Sequence, residues 1–122
     1  MSQENLQTDL SIKAEINLYY DVFVPENAPE NAPLLIAVHG YGAHKRYMMR
    51  EARAVAPDGW VIVSVQGPHQ HFRRTDNDYS TGFGWLTDHN AAESVALHHK
   101  FLLDVIEKLS ADRLIDNSQV YL

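Results

Sequence analysis

The chain has 122 residues, of which 45% are apolar and 21% are charged. This composition fits one ordinary domain with a buried core and excludes a disordered tail. The formal net charge of -6 excludes the basic surface on which nucleic-acid binding depends. Cysteine is absent, which excludes a disulfide framework and any thiolate metal site or nucleophile in these residues.

The N-terminal sequence MSQENLQTDL is polar and acidic. It lacks the basic and apolar regions of a secretory signal. No apolar run approaches the roughly 20 residues that are needed to cross a bilayer. We therefore expect a soluble, cytoplasmic protein without a membrane span, and we expect residues 1–9 to be disordered.

The first ordered stretch alternates between apolar and polar positions from Leu10 to Val24. Period-two alternation predicts a half-buried strand, or two strands in tandem with a break near Tyr19–Asp21. The segment PENAPENAP that follows, over Pro25–Pro33, is rich in proline and asparagine and predicts a connection.

Two short apolar runs, Leu34–Val38 and Trp60–Val65, have no polar alternation. Such runs are typical of central parallel strands that are covered on both faces. Between them, Lys45–Ala56 has apolar residues at helical spacing and is stopped by Pro57-Asp58-Gly59. The polar and aromatic segment from His69 to Asp88 predicts a long loop, and loops of this length are usually functional.

A second helix is predicted after this loop, with Asn90 and Glu93 as a capping box. A turn at Asp116–Ser118 and a final β-like run at Val120–Leu122 follow it. The apolar stripe of the helix is predicted to consist of Val95, Leu102, Val105, Ile106 and Leu109.

Strands that alternate with helices after an opening β segment predict an α/β fold with a mostly parallel sheet. Right-handed crossovers place the carboxyl ends of the parallel strands at one edge. His39–Gly42 and the His69–Asp88 segment would then meet there. Open α/β sheets bind their ligands at this edge.

The strongest local signal is His39-Gly40-Tyr41-Gly42, directly after the first apolar run. Two glycines around one residue let the backbone turn sharply and expose its N–H groups. Such groups stabilise a developing oxyanion. The alternative is a tight turn in which glycine merely fits.

A dinucleotide site is a further interpretation of the same glycines. Gly40 and Gly42 would begin a G-x-G-x-x-G motif, but Lys45 stands at the third glycine position. The acidic residue expected after the next strand is replaced by the neutral Gln66 and its neighbours. The sequence thus argues against this interpretation.

Histidine and aromatic residues are the remaining candidates for chemistry. His69 and His71 could present two imidazoles to a metal, but surface or supporting roles are favoured for the histidines, and no metal is predicted. Phe83 and Trp85, interleaved with glycines in the long segment, predict either a substrate-pocket wall or an anchor to the core.

The succession PLLIAVHGYGA, WVIVSVQGP, GFGWLTD, a long helix and DNSQVYL resembles the phospholipase/carboxylesterase branch of the α/β-hydrolase superfamily. The resemblance covers essentially Tyr20 to Leu122. It implies an incomplete α/β-hydrolase domain over residues 1–122, truncated before the nucleophile elbow. In that family a strand like Val120–Leu122 runs directly into the G-x-S-x-G turn.

The resemblance also implies roles for individual residues. The backbone N–H of Tyr41 would be an oxyanion-hole donor, and His39, Gly40 and Gly42 would shape its loop. The nucleophilic serine, the acid and the catalytic histidine would lie downstream, since no serine here has the G-x-S-x-G frame. The substrate would be a small carboxylic ester or thioester, no cofactor is implied, and this chain alone would be inactive.

Two alternatives stay open. The chain could be a noncatalytic α/β module that binds a ligand or partner at the same edge, or part of an esterase relative with Cys or Asp as nucleophile. If the sheet stops at Val120–Leu122, beside Leu34–Val38, its edge is unpaired. We then expect the isolated chain to be poorly stable and prone to associate.

Overall fold

A computed structural model describes residues 5–122 of the chain. No helix within this range is both long and apolar enough to cross a bilayer. In chain order, the elements are β1 (Tyr20–Phe23), β2 (Ala32–Val38), α1 (Lys45–Val55), β3 (Val61–Val65), β4 (His69–Arg74), β5 (Tyr79–Gly84), α2 (Ala91–Ala111) and β6 (Ile115–Tyr121).

Four of the strands form one sheet in the order β1-β3-β2-β6. β2 is parallel to both of its neighbours, and β1 joins β3 antiparallel. The chain is therefore mixed α/β with a mostly parallel sheet, as the order of its segments predicts. Val120 pairs with Leu34, which confirms the predicted neighbour of the final β run.

The two helices cover opposite faces of the sheet. On one face, Leu34 and Val63 belong to a buried cluster with side chains of α2. On the other face, Ala52 of α1 packs with Ala37 and Ile62. Coverage of both faces explains why β2 and β3 are apolar at consecutive positions. The buried side chains that α2 contributes to the first cluster are Phe101, Val105 and Leu109.

The alternating segment at the N-terminus is a strand only over Tyr20–Phe23, so the prediction for the rest of Leu10–Val24 is wrong. β3 offers no partner further back, because its pairing with β1 begins at Tyr20 opposite Val65. Residues 10–18 therefore have no strand partner among the described residues. The predicted disorder of residues 1–9 falls partly on residues 1–4, which lie outside the described range.

The segment predicted as a long loop over 69–88 is largely a β-hairpin, so that prediction is wrong. β4 and β5 pair antiparallel from His69 opposite Gly84 to Arg74 opposite Tyr79. The hairpin forms its own two-stranded sheet, and most of its residues are exposed. Because neither face of β4 is buried against the core, its sequence carries no apolar alternation to indicate a strand.

The start and the buried face of α2 also differ from the prediction. Asn90 precedes the helix in a left-handed conformation (φ 51°) and its side chain makes no capping hydrogen bond, so no capping box with Glu93 is formed. The buried stripe includes Phe101, whose ring centroid lies 6.2 Å from that of Tyr20. Val95, a predicted member of the stripe, is exposed because the helix turns Phe101 toward the sheet.

The turn predicted at Asp116–Ser118 lies inside β6, where it forms a bulge. The pairing of β2 with β6 shifts its register at Pro33. Proline cannot donate to the ladder, so this is where extra residues are accommodated. The Asp116 carboxylate accepts a hydrogen bond from the Ser118 backbone N–H at 2.9 Å, which stabilises the local bend.

We predict that Phe101→Ala lowers the free energy of unfolding by about 3–5 kcal/mol, since Phe101 is 5% exposed in the cluster between α2 and the sheet. Leu103→Ala is the control, because Leu103 lies on the same helix and is 66% exposed. Urea unfolding of the two variants measures the difference. Equal losses in both would contradict the packing of α2 described above.

Candidate functional site

The carboxyl end of β2 runs into a tight turn over His39–Ala43. The Ala43 N–H donates to the Gly40 carbonyl oxygen at 3.1 Å and closes the turn. Gly42 has φ 78°, in the left-handed region that favours glycine. Gly40 lies outside that region, and a side chain there would meet no atom within 4 Å. The conformation of the turn thus requires glycine at Gly42 and not at Gly40.

β5 holds this turn in place through two backbone hydrogen bonds. The Gly42 N–H donates to the Phe83 carbonyl oxygen at 2.9 Å, and the Phe83 N–H donates to the Ala43 carbonyl oxygen at 3.1 Å. A Cβ atom on Gly82 would lie 2.7 Å from the Gly42 carbonyl oxygen. Glycine at position 82 is therefore what allows the hairpin to approach the turn this closely.

The Tyr41 N–H is a backbone donor of this turn that could bind a ligand. Among residues 5–122 it has no hydrogen-bond acceptor, whereas the N–H groups of Gly42 and Ala43 are both paired. The Tyr41 side chain is 79% exposed and stacks on His71, with ring centroids 4.8 Å apart. The turn therefore presents the unpaired Tyr41 N–H at the carboxyl edge of the sheet, where a ligand oxygen could accept from it. The Gly40 N–H likewise has no acceptor among residues 5–122.

His39 is buried and ties the ends of two strands together. Its Nε2 accepts a hydrogen bond from the Gly67 N–H at 2.9 Å, just beyond β3. Since Nε2 is an acceptor, the ring proton is on Nδ1, which donates to the Gly40 carbonyl oxygen at 2.8 Å. Burial lowers the pKa of His39 and favours this neutral form. His39 thus shapes the turn from beneath it.

Trp85 and Phe83 occupy different surroundings. The Trp85 indole N–H donates to the His39 carbonyl oxygen at 3.0 Å, and its ring contacts the rings of His39 and His98. Trp85 therefore anchors the hairpin to the core. Phe83 lines a cavity of 250 Å³ together with Pro68, and this cavity does not include Tyr41. The structure brings His39, Gly40, Tyr41 and Gly42 together, with the Phe83 backbone and the Trp85 indole as their supports.

Sequence reasoning missed two side chains of β4 that reach the turn. His71 stacks on Tyr41, and Arg73 places Nη1 3.5 Å from the Gly42 carbonyl oxygen. They stand two positions apart, on one face of the hairpin. Their spacing would have indicated a shared face only if this segment had been recognised as a strand.

The histidines do not assemble a metal site. Within the described range, no group of three or more His, Cys, Asp or Glu side chains could hold a metal ion. His69, the neighbour of His71 in the suggested imidazole pair, instead contacts Ser94, with Nε2 and Oγ 3.0 Å apart. That contact links the hairpin to the first turn of α2.

The chain was compared with protein-family models, with curated proteins and with solved structures. No family model matches it, and neither of the other two comparisons found a match. The family suggested by the sequence therefore stays a prediction, and the geometry of the turn has to carry the functional argument.

We predict that stability falls as the pH is lowered through about 6.5, and that His39→Gln reduces this dependence. Because the folded state lowers the pKa of His39, the unfolded chain takes up the proton first as the pH falls. The stability that the neutral, buried His39 contributes to the folded state is therefore present above pH 6.5 and is lost as the pH falls below it. The measurement is urea unfolding at pH 7.5, 6.5 and 5.5, values chosen around the ordinary histidine pKa of about 6.5.

A matched His89→Gln variant controls for the loss of one exposed imidazole. If the wild-type chain and His39→Gln lose equal stability over this range, the buried neutral His39 is not what links folding to pH.

Proposed function

We propose that this chain is the N-terminal part of a serine hydrolase that cleaves carboxylic esters or thioesters. In this proposal the Tyr41 N–H is one of the two oxyanion-hole donors. The observation that carries it is the unpaired Tyr41 N–H, held at the carboxyl edge of the sheet by a turn in which the next two N–H groups, those of Gly42 and Ala43, are paired. The α/β-hydrolase fold and the ester substrate are part of the proposal.

The chemistry follows from where charge develops during the reaction. Attack on an ester carbonyl moves negative charge onto its oxygen, and a donor already aimed at that oxygen stabilises the transition state. Removal of one such donor from an enzyme typically costs about 10²–10³ in turnover. The hydrogen bonds between Phe83 and the turn keep the Tyr41 N–H oriented, so little reorganisation is needed.

The register of β6 supports the same proposal. Leu35 pairs with Tyr121, and in a parallel pair each further residue keeps level with one on the neighbouring strand. β2 continues only three residues beyond Leu35, to Val38, and the turn that carries Tyr41 follows at the edge toward which both strands run. A serine on a turn close behind β6 would therefore lie at the same edge of the sheet as the Tyr41 N–H. Nucleophile and oxyanion donor must flank the same reacting carbonyl.

A nucleophile within the described residues is less well supported. Ser94 contacts an imidazole, His69, at 3.0 Å, which is the distance expected of a serine and its base. However, Ser94 is only 7% exposed, so an ester carbonyl has little access to its hydroxyl. The contact instead serves to attach the hairpin to α2.

We predict that the purified 122-residue chain shows no turnover of p-nitrophenyl acetate that a fluorophosphonate abolishes. An oxyanion donor without a nucleophile cannot form an acyl-enzyme. The measurement compares hydrolysis with and without the inhibitor, and the heat-denatured chain gives the background. Inhibitor-sensitive turnover, with mass spectrometry locating the phosphonate on Ser94, would place the active site inside this chain and contradict the proposal.

A second prediction concerns a protein in which these residues continue into a G-x-S-x-G turn. We expect Gly42→Val to lower kcat by tenfold or more, because a β-branched residue resists φ 78° and reorients the Tyr41 N–H. Gly59→Val is the matched control, since Gly59 has φ 80° in a turn before β3, away from this edge. Both variants lose stability, and only Gly42→Val loses turnover. Tyr41→Phe keeps the N–H and stays close to wild type.

The measurement is kcat and KM for a neutral ester, together with the thermal midpoint of each variant. If Tyr41→Phe lowers kcat as strongly as Gly42→Val, the phenol hydroxyl is the active group and the assigned role is wrong. If no variant has turnover but a ligand still binds at this edge, the noncatalytic binding module replaces the hydrolase.

A further inference from the structure

The segment before β1 has largely exposed apolar side chains, except for Leu18, which packs partly against the core. Leu10 is 75% exposed and Ile12 is 95% exposed, and Ile16 is also exposed. The backbone of residues 10–18 forms no hydrogen bond with any other described residue. Alternation of apolar and polar residues is nonetheless the pattern of a strand with one buried face. The segment thus has the sequence of a strand without the pairing of one.

The segment also projects beyond the strand that pairs with β1. The last contact with that strand's end is a hydrogen bond from the Gln66 N–H to the Tyr19 carbonyl oxygen at 2.9 Å. Residues before Tyr19 therefore have no neighbouring strand of the described chain on either side. An incoming strand would meet unpaired N–H and C=O groups there.

The sequence of this segment is complementary to itself when two copies run antiparallel. With Ala14 opposite Ala14, Ile12 faces Ile16 of the other copy and Lys13 faces Glu15. Opposite charges at directly opposed positions stabilise an antiparallel pair. The outer positions match in type as well, because Ser11 meets Asn17 and Leu10 meets Leu18, whose side chain is already packed in part against the core.

Other registers lack this agreement. Moving the centre of the pairing to Lys13 or Glu15 places like charges directly opposite each other, which is destabilising. A slip of one residue on one strand sets apolar positions against polar ones and turns the apolar set to the wrong face. In the register centred on Ala14, therefore, apolar residues face apolar residues and Lys13 faces Glu15. Neither of these two charged residues forms a salt bridge within residues 5–122.

We propose that residues 10–18 are a dimerisation strand, and that its partner is the same segment of a second copy of the chain in antiparallel register about Ala14. The interface is isologous, because each copy gives and receives the same contacts about a two-fold axis. It covers Ile12 and Ile16 of both copies and joins Lys13 to Glu15 twice. This inference does not depend on whether the protein hydrolyses esters.

The test is sedimentation equilibrium of the full 122-residue chain and of three variants. The wild-type chain is expected to dimerise, and Lys13→Glu and Glu15→Lys are each expected to weaken the dimer about tenfold or more, because each places like charges opposite twice. The double variant Lys13→Glu/Glu15→Lys restores the pairs and returns to the wild-type dissociation constant. Arg74→Glu, with the same change of charge at an exposed hairpin position, leaves it unchanged.

A mixture of the two single variants shows whether each variant has lost only its charge pairing with a second copy or has failed to fold. The Lys13→Glu chain has two acidic residues and the Glu15→Lys chain has two basic ones, so a mixed dimer again joins opposite charges at both positions. We expect the mixture to dimerise about tenfold or more tightly than either single variant alone. A wild-type chain that stays monomeric, single variants that dimerise like wild type, or a mixture without heterodimers would each overturn the proposal.

Discussion

The arrangement of the candidate site depends on the two backbone hydrogen bonds between the turn after β2 and strand β5. They pair Gly42 and Ala43 with Phe83, whereas the Tyr41 N–H has no acceptor among residues 5–122. Close approach of the hairpin is possible because Gly82 has no side chain to displace the Gly42 carbonyl. A contact of two hydrogen bonds among three residues thus decides which backbone groups face the edge of the sheet.

Two side chains beneath the turn, those of His39 and Trp85, also hold it in place. His39 joins the end of β2 to the residue after β3, and Trp85 joins the hairpin to the His39 carbonyl. Both polar groups are satisfied, so burying them costs little stability. The turn is therefore fixed on both sides, and a fixed donor is what electrostatic stabilisation of an oxyanion requires.

The elements that the sequence predicts correctly are those that pack against the core. β2, β3 and α1 were predicted nearly to their ends, because an apolar run or a helical spacing is imposed by contact with the core. The hairpin was missed because β4 has little contact with the core and its pairing is backbone to backbone, which leaves no pattern in the side chains. Conversely, residues 10–18 carry a strand pattern without a strand, since no neighbour within the described chain pairs with them.

The sequence predicts the backbone turn of the candidate site but not the side chains that pack on it. Two glycines after a buried strand indicated an exposed turn, and Gly42 has the conformation that this requires. The approach of His71 and Arg73 depends on long-range pairing of the hairpin with the turn, which no local signal in the sequence reports. Gly40 is a glycine that nothing in the structure explains.

The proposed role of the turn requires that the Tyr41 N–H is unpaired while the Gly42 N–H and the Phe83 N–H are bonded. Amide hydrogen exchange, followed by NMR on the ¹⁵N-labelled chain, measures this directly, because exchange of a bonded amide requires local opening. We expect rapid exchange at Tyr41 and slow exchange at Gly42 and Phe83. Protection of Tyr41 equal to that of Gly42, or rapid exchange at all three, would contradict it.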